Sequence, residues 1–159
     1  MIARVRPYRP ADPAWVIEQH ARIYAAEHAF DAHFADTIHH KMGEWLARAD
    51  PLKQMWIAEC DGEPAGCIAI SDAGDASAFL NFVLVLPDYR GQRLGRQLLD
   101  TALAHARSCG QRLVRLETYQ CLAEARQLYR SSGFRCQETR APVALYGQAV
   151  VSEFWSLAL

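Results

Sequence analysis

The sequence predicts an α/β fold, a central mixed β-sheet flanked by about four helices. Three observations predict it. A nearly continuous apolar run from Phe79 to Leu86, broken only by Asn81, reads as a strand buried on both faces. Helical spacing of Leu94, Leu98, Leu99 and Ala102 follows at once, and a further strand signal lies at Leu113 to Thr118, so this crossover implies parallel neighbours. Upstream, Met55 to Glu59 and Ala65 to Ser71 flank the turn signal Asp61-Gly62, which marks an antiparallel hairpin. Parallel and antiparallel pairs in one chain make the sheet mixed.

The remaining elements follow in order. Ile2 to Arg6 alternates apolar and polar residues and reads as a first strand. Asp12-Pro13 is a helix start, with Asp12 as N-cap and proline at the first helical position. Trp15, Ile17, Ala21, Ile23 and Tyr24 carry that helix to about His28. A second helix spans about Phe30 to Ala49, with Phe34, Ile38, Met42, Trp45 and Leu46 on one face, and Asp50-Pro51 stops it. Ser71 to Asp75 reads as a polar loop. Pro87 ends the buried strand because it cannot donate to a ladder. The helix from Leu94 ends near Ser108, with Gly110 as its stop. Leu122, Ala125, Leu128 and Tyr129 mark a last helix, closed by Ser131-Ser132-Gly133. Phe134 to Glu138 and about Gln148 to Leu157 are the final strands, separated by a loop around Ala141-Pro142.

Length and composition limit the function classes. The 159 residues suit one domain, 1–159, and half of them are apolar. A formal net charge of −1 calls for neither nucleic acid nor an acidic membrane surface. No stretch approaches the ~20 apolar residues of a membrane span, and no secretory signal follows Met1. The five cysteines, 60, 67, 109, 121 and 136, contain no CxxC pair and read as reduced core thiols of a cytoplasmic protein. His33, Asp36 and His40 share reach along a helix, but the series is too loose for a zinc ligand set, and no metal is expected.

The chemistry concentrates between Pro87 and Arg96. There Arg90-Gly91-Gln92-Arg93-Leu94-Gly95 forms a basic, glycine-bearing turn that opens directly into a helix. First-turn amides lack partners and carry the positive end of the helix dipole, so the turn is a cradle for a pyrophosphate. It has neither the G-x-G-x-x-G of a dinucleotide fold nor a P-loop lysine. What it resembles is the acetyl-CoA signature of the GNAT acyltransferase superfamily, Q/R-x-x-G-x-G/A after a V-x-P strand end. Val85-Leu86-Pro87 matches the strand end, Arg90 and Gly95 match the first and last signature positions, and Arg93 stands where the family usually has glycine. A second landmark, Ala125 to Phe134, resembles that family's A-x-x-L-Y-x-x-x-G-F ending. Trp15, His20, Tyr24, Glu27 and Trp45 further resemble the acetyltransferase half of MarR-type regulator fusions, with no DNA-binding half read here.

The resemblance implies the GNAT fold and an acyl-CoA-dependent N-acetyltransferase using acetyl-CoA as cosubstrate. The acidic and aromatic residues of the N-terminal helices point to the primary amine of a small molecule, a small amine or amino-acid-like metabolite, as acceptor. The resemblance implies backbone pairing of Val83, Leu84 and Val85 with the pantetheine arm. It also implies pyrophosphate binding by the amides of Arg90, Gly91, Gln92, Arg93, Leu94, Gly95 and Arg96. Tyr129 would give a proton to the departing thiolate. Many relatives carry a glutamate on the strand before the cradle; Phe79 to Leu86 contains no carboxylate, and Glu117 is one replacement. The N-terminal helices would wall the acceptor, making Tyr24, Glu27, His28, Asp31 and Trp45 candidate substrate contacts. Cys121, near the start of the helix carrying Tyr129, is read as packing. A non-catalytic acyl-CoA-binding module, a protein or peptide N-acetyltransferase, and a homodimer are left open.

Overall fold

A computed structural model describes residues 2–159. Nine strands and four helices follow in chain order: β1 (Ala3–Pro7), α1 (Asp12–His28), α2 (Ala32–Ala47), β2 (Gln54–Cys60), β3 (Glu63–Gly74), β4 (Ser77–Val85), α3 (Leu94–Ser108), β5 (Leu113–Tyr119), α4 (Ala123–Ser131), β6 (Arg135–Thr139), β7 (Val143–Leu145), β8 (Gln148–Val150) and β9 (Ser152–Ala158). Seven strands form one sheet in the order β1-β2-β3-β4-β5-β9-β6, while β7 and β8 form a separate hairpin. β4 and β5 run parallel and the other neighbours run antiparallel, so the sheet is mixed as predicted. Among the described residues no helix is long and apolar enough to cross a membrane.

Both faces of the central strands are covered, which is why they read as unbroken apolar runs. Met55, Ile57, Cys67 and Ala69 pack under α1 and α2 with Val16, Ile23, Phe34, Ile38 and Met42. Their alternates Trp56, Ala58, Ile68 and Ile70 pack under α3 with Leu98, Leu99, Ala102 and Ala106, and Tyr129 of α4 joins them. Proline at the first turn starts α1, but Asp12 is not its N-cap. The Asp12 carboxylate instead accepts from the Arg6 guanidinium at 2.8 and 3.1 Å and from the Arg9 amide, tying β1 to α1.

Two loops expected from the sequence contain strand. β3 continues through Ser71 to Gly74 and turns into β4 at Asp75 and Ala76, both in the left-handed region. The segment around Ala141-Pro142 leads into the β7–β8 hairpin, which turns at Tyr146-Gly147, also at positive φ. Polar composition marked both as turns, but a turn with two left-handed residues lengthens the flanking strands. The cysteines also divide. Cys60 and Cys67 are buried, whereas Cys109, Cys121 and Cys136 are exposed, so only two of the five serve the core.

β4 is bent at its middle. Asn81 pairs with Ala69 and Leu84 with Cys67, three steps on β4 against two on β3. That extra residue is a β-bulge, and Phe82 lies in it at φ +54°. It also changes the facing of the strand: Leu80 packs on the α3 side, whereas Phe82 and Leu84 pack on the α1–α2 side. Pairing of β4 with β5 is confined to Ser77, Ala78 and Phe79 opposite Leu113, Val114 and Arg115. Beyond Phe79 the two strands separate, and β5 continues to Tyr119 paired only with β9.

The bulged strand leaves no room on its other flank. A Cβ on Gly66 lies 2.8 Å from the Leu84 carbonyl oxygen and 3.2 Å from Leu98 Cδ1. Gly66→Ala therefore forces β3, β4 and α3 apart. Thermal or denaturant unfolding is expected to show a loss of about 1–3 kcal/mol, the usual cost of overpacking. An unchanged midpoint contradicts this packing.

Candidate functional site

Where β4 and β5 separate, two cavities open and meet. The larger, about 350 Å³, is bounded by Val83, Leu84 and Val85 of β4, the turn from Tyr89 to Arg96, the end of α1 and one side of α4. The smaller, about 100 Å³, lies deeper and is lined by His20, Lys41, Asn81, Glu117, Thr118 and Tyr129, among others. Tyr24, Val83, Leu122 and Ala125 border both.

The turn is built as a donor surface. After Pro87–Tyr89, a short 3₁₀ turn, Gly91 sits at φ +78° and Arg93 at φ +63°, and the chain then enters α3. Gln97 N–H reaches the Arg93 carbonyl at 3.0 Å, the first bond of the helix. The consecutive amides from Gly91 to Arg96 donate to no acceptor among the described residues. A helix start leaves its first amides free; the loop extends that series and bends it into a concave row beside a cavity. Gly95 keeps the row close to the wall, since a Cβ there meets Leu128 Cδ2 at 3.2 Å. A pyrophosphate fits this donor set, and an amide-bearing arm fits the β4 edge that β5 no longer pairs. Acetyl-CoA carries both groups.

The three arginines differ. Arg90 forks onto the Glu27 carboxylate with two bonds of 2.7 Å and lies 3.8 Å from Glu124. The guanidinium beside Glu27 holds its carboxyl below the usual carboxylate range. Glu27 thus closes one edge of the larger cavity, with its carboxylate taken by Arg90. Arg96 bonds Ser132 and approaches Asp100 at 3.7 Å. Arg93 has no ion pair or side-chain hydrogen bond among the described residues and lines the larger cavity. Its left-handed backbone explains why glycine suits this signature position, since a side chain there costs about 1–2 kcal/mol.

Tyr129 is buried against Phe134 and Trp155, with ring centroids 5.7 and 6.3 Å away. Arg126 fixes this helix by forking onto the buried Glu153 at 2.8 and 3.1 Å. Burial pushes the Tyr129 phenol well above its usual range, so it remains protonated at neutral pH. Glu117 lines the smaller cavity and is exposed.

Val83, Leu84, Val85, Arg90, Gly91, Arg93, Leu94, Gly95 and Arg96 all border the larger cavity, as do Tyr24 and His28; Gln92 contributes only its free amide. Two expected contacts lie elsewhere. Trp45 is core, 3 % exposed, with its indole N–H directed to the Ile70 carbonyl at 3.4 Å. Asp31 caps α2 by accepting from the His33 amide, and borders neither cavity. His33 and His40 pair with Asp31 and Glu44, and no group of three or more metal-ligating side chains occurs among the described residues.

His20, noted in the sequence only for its part in the resemblance, was not among the expected site residues. It lies on the apolar stripe of α1 with Val16, Ile23 and Tyr24, and a histidine at that spacing is the signal that would have found it. Its Nδ1 is 2.8 Å from the Val16 carbonyl, which can only accept, so Nδ1 carries the hydrogen and Nε2 is left as an acceptor. Burial lowers this imidazole to about 4, and the nearby Lys41 ammonium acts in the same direction.

A family model for the acetyltransferase (GNAT) family matches residues 15–134. A probable N-acetyltransferase, camello, of Xenopus tropicalis is 35 % identical over 82 residues, half of this chain but only 37 % of that relative's length. A GNAT acetyltransferase of Staphylococcus aureus Mu50 superposes with TM-score 0.80 at 19 % identity over 99 % of both chains. A putative acetyltransferase of Salmonella typhimurium, solved with its cofactor acetyl-CoA, gives 0.76 at 22 % identity over 100 % of this chain and 95 % of that one. At these identities the solved structures show the shared fold.

The His20 shift has a definite sign. Between pH 6.5 and 4 the unfolded chain binds a proton at this site and the folded chain does not, so stability rises with pH across that window and is level above it. The difference amounts to about 3 kcal/mol at most. Unfolding of the wild type and of His20→Asn from pH 7.5 to 4 is expected to converge as pH falls. Parallel curves contradict a buried neutral imidazole.

Proposed function

The chain belongs to the acetyltransferase (GNAT) family, and from that premise we propose that it is an N-acetyltransferase moving an acetyl group from acetyl-CoA to the primary amine of a small molecule. The observation that carries this reading is the row of free amides from Gly91 to Arg96, set beside the unpaired edge of β4 and opening onto a second, polar cavity. When bound, acetyl-CoA would supply the acetyl thioester. The amides and Arg93 hold the diphosphate, and the backbone of Val83 to Val85 aligns the arm.

The remaining chemistry falls to side chains. The smaller cavity holds the amine against the thioester so that nitrogen attacks directly, an arrangement that relies on positioning. Tyr129, kept protonated by burial, gives its proton to the departing sulfur and recovers one through water. The small volume and the lining of both cavities support a small acceptor over a chain that passes through. Arg93 at the left-handed signature position that suits glycine, and the lack of a carboxylate on β4, favour the second reading, a module that binds the thioester without turnover.

Thiol release from acetyl-CoA across a panel of amines separates the two. Turnover above the hydrolysis background supports the enzyme. Calorimetric binding without release from any amine supports the module. For the enzyme, Tyr129→Phe is expected to lower kcat by about 10²-fold, while the dissociation constant for acetyl-CoA changes by less than about threefold. A parallel loss of binding would place the phenol in cofactor packing and outside the proton transfer.

A further inference from the structure

The smaller cavity carries a charge pattern that acyl transfer to a generic amine leaves unused. Lys41 from α2 and Glu117 from β5 both line it, and neither side chain enters an ion pair or hydrogen bond among the described residues. Asn81, the single polar break in the apolar run from Phe79 to Leu86, also lines it, and its carboxamide has no partner among the described residues. His20 adds an acceptor nitrogen from α1. Alternation accounts for the convergence. Leu116 of β5 packs on the α3 side, so Glu117 faces α1 and α2; Leu80 of β4 does the same for Asn81.

A cation on one element, a carboxylate on another and neutral polar groups lining the same cavity complement a compact zwitterion. The cavity is about 100 Å³, which suits a ligand with only a few heavy atoms between its two charges. A diamine would set its second ammonium against Lys41. A peptide's N-terminus lacks the nearby carboxylate that Lys41 requires. A simple monoamine leaves the exposed Lys41 ammonium and the half-buried Asn81 carboxamide to water, and so gains nothing from either.

We propose that the acceptor is a small free amino acid, its carboxylate held by Lys41 and Asn81 and its amino group presented by Glu117. This rests on the acetyltransferase reading above. The α-ammonium first releases a proton to water through the Glu117 carboxylate. Its freed electron pair forms the C–N bond to the acetyl carbonyl carbon as the C–S bond breaks. Nitrogen gives up its second proton to water, and sulfur takes one from Tyr129, which water replaces. The products are an N-acetyl amino acid and CoA thiol.

The test measures kcat/KM by thiol release with acetyl-CoA for glycine, alanine, serine, threonine and aspartate, each beside its α-amide, together with ethylamine, putrescine and dialanine. At least one free amino acid is expected to exceed its own amide, and the other amines, by about tenfold or more. Lys41→Gln, a change at an exposed helix position, is expected to bring that ratio toward one, and Lys41→Arg to preserve much of it. Amides, putrescine or dialanine acting as well as the amino acids overturns the proposal. A ratio unmoved by Lys41→Gln overturns it too. Saturable acetyl-CoA binding with no release from any acceptor overturns the proposal and leaves a binding module. Absence of acetyl-CoA binding overturns the acetyltransferase reading beneath it.

Discussion

The structure turns on the single extra residue at Phe82. A β-strand paired on both sides offers its backbone to nothing else. The β4–β5 ladder stops at Phe79, just ahead of the bulge, and from there β4 has one neighbour instead of two. An unmatched backbone donor or acceptor costs about 1–3 kcal/mol when buried, so this edge must face water or a ligand that offers amides. A phenylalanine at φ +54° is itself unfavourable by about 1–3 kcal/mol. Burial of the ring beneath α1 and α2, and the Cys67 thiol donating to the Phe82 carbonyl at 3.1 Å, offset that strain. The same bulge brings both sides of the sheet to one opening: Tyr129 enters from the α3–α4 side, His20, Lys41 and Asn81 from the other.

Charge in the cofactor cavity comes mostly from the backbone. Three arginines crowd the turn in sequence, yet Arg90 is neutralised by Glu27 and Arg96 is drawn to Ser132 and Asp100. Among the charged and donor groups of the turn, the amide row and Arg93 are what remain without a partner among the described residues. Amides held by a helix start are fixed in direction and lose no side-chain freedom on binding, which suits them to a diphosphate. The Glu27–Arg90 pair serves another end. It joins α1 to the turn across the mouth and so fixes the width between the N-terminal helices and the cradle.

Much of this was legible in the sequence because it is local. The strand, the proline, the basic turn and the helix are contiguous from Phe79 to Ala102, and each is signalled by residues within a few positions of one another. The covered sheet was legible for a related reason, since burial on both faces leaves continuous apolar runs in β2, β3 and β4. What escaped depends on contacts far apart in the chain. Glu27 and Arg90 are 63 positions apart, and nothing near Glu27 shows that its carboxylate is taken. Trp45 and Asp31 looked like pocket residues because aromatic and acidic side chains often are. Tertiary packing gave one to the core and local capping gave the other to α2. The bulge has no signature at all, since a phenylalanine in a strand forecasts regular pairing. The smaller cavity was hidden with it, because Asn81, Glu117, Lys41 and His20 meet only once β4 bends.

The central claim is that the free amides of the turn and the unpaired edge of β4 form one binding surface for acetyl-CoA. Backbone amide NMR of the labelled protein during titration with acetyl-CoA tests it most directly. Saturable shifts are predicted to be largest for Gly91 to Arg96 and for Val83 to Val85, with slowed solvent exchange at those amides. Shifts confined to other elements, or none up to millimolar acetyl-CoA, would contradict it.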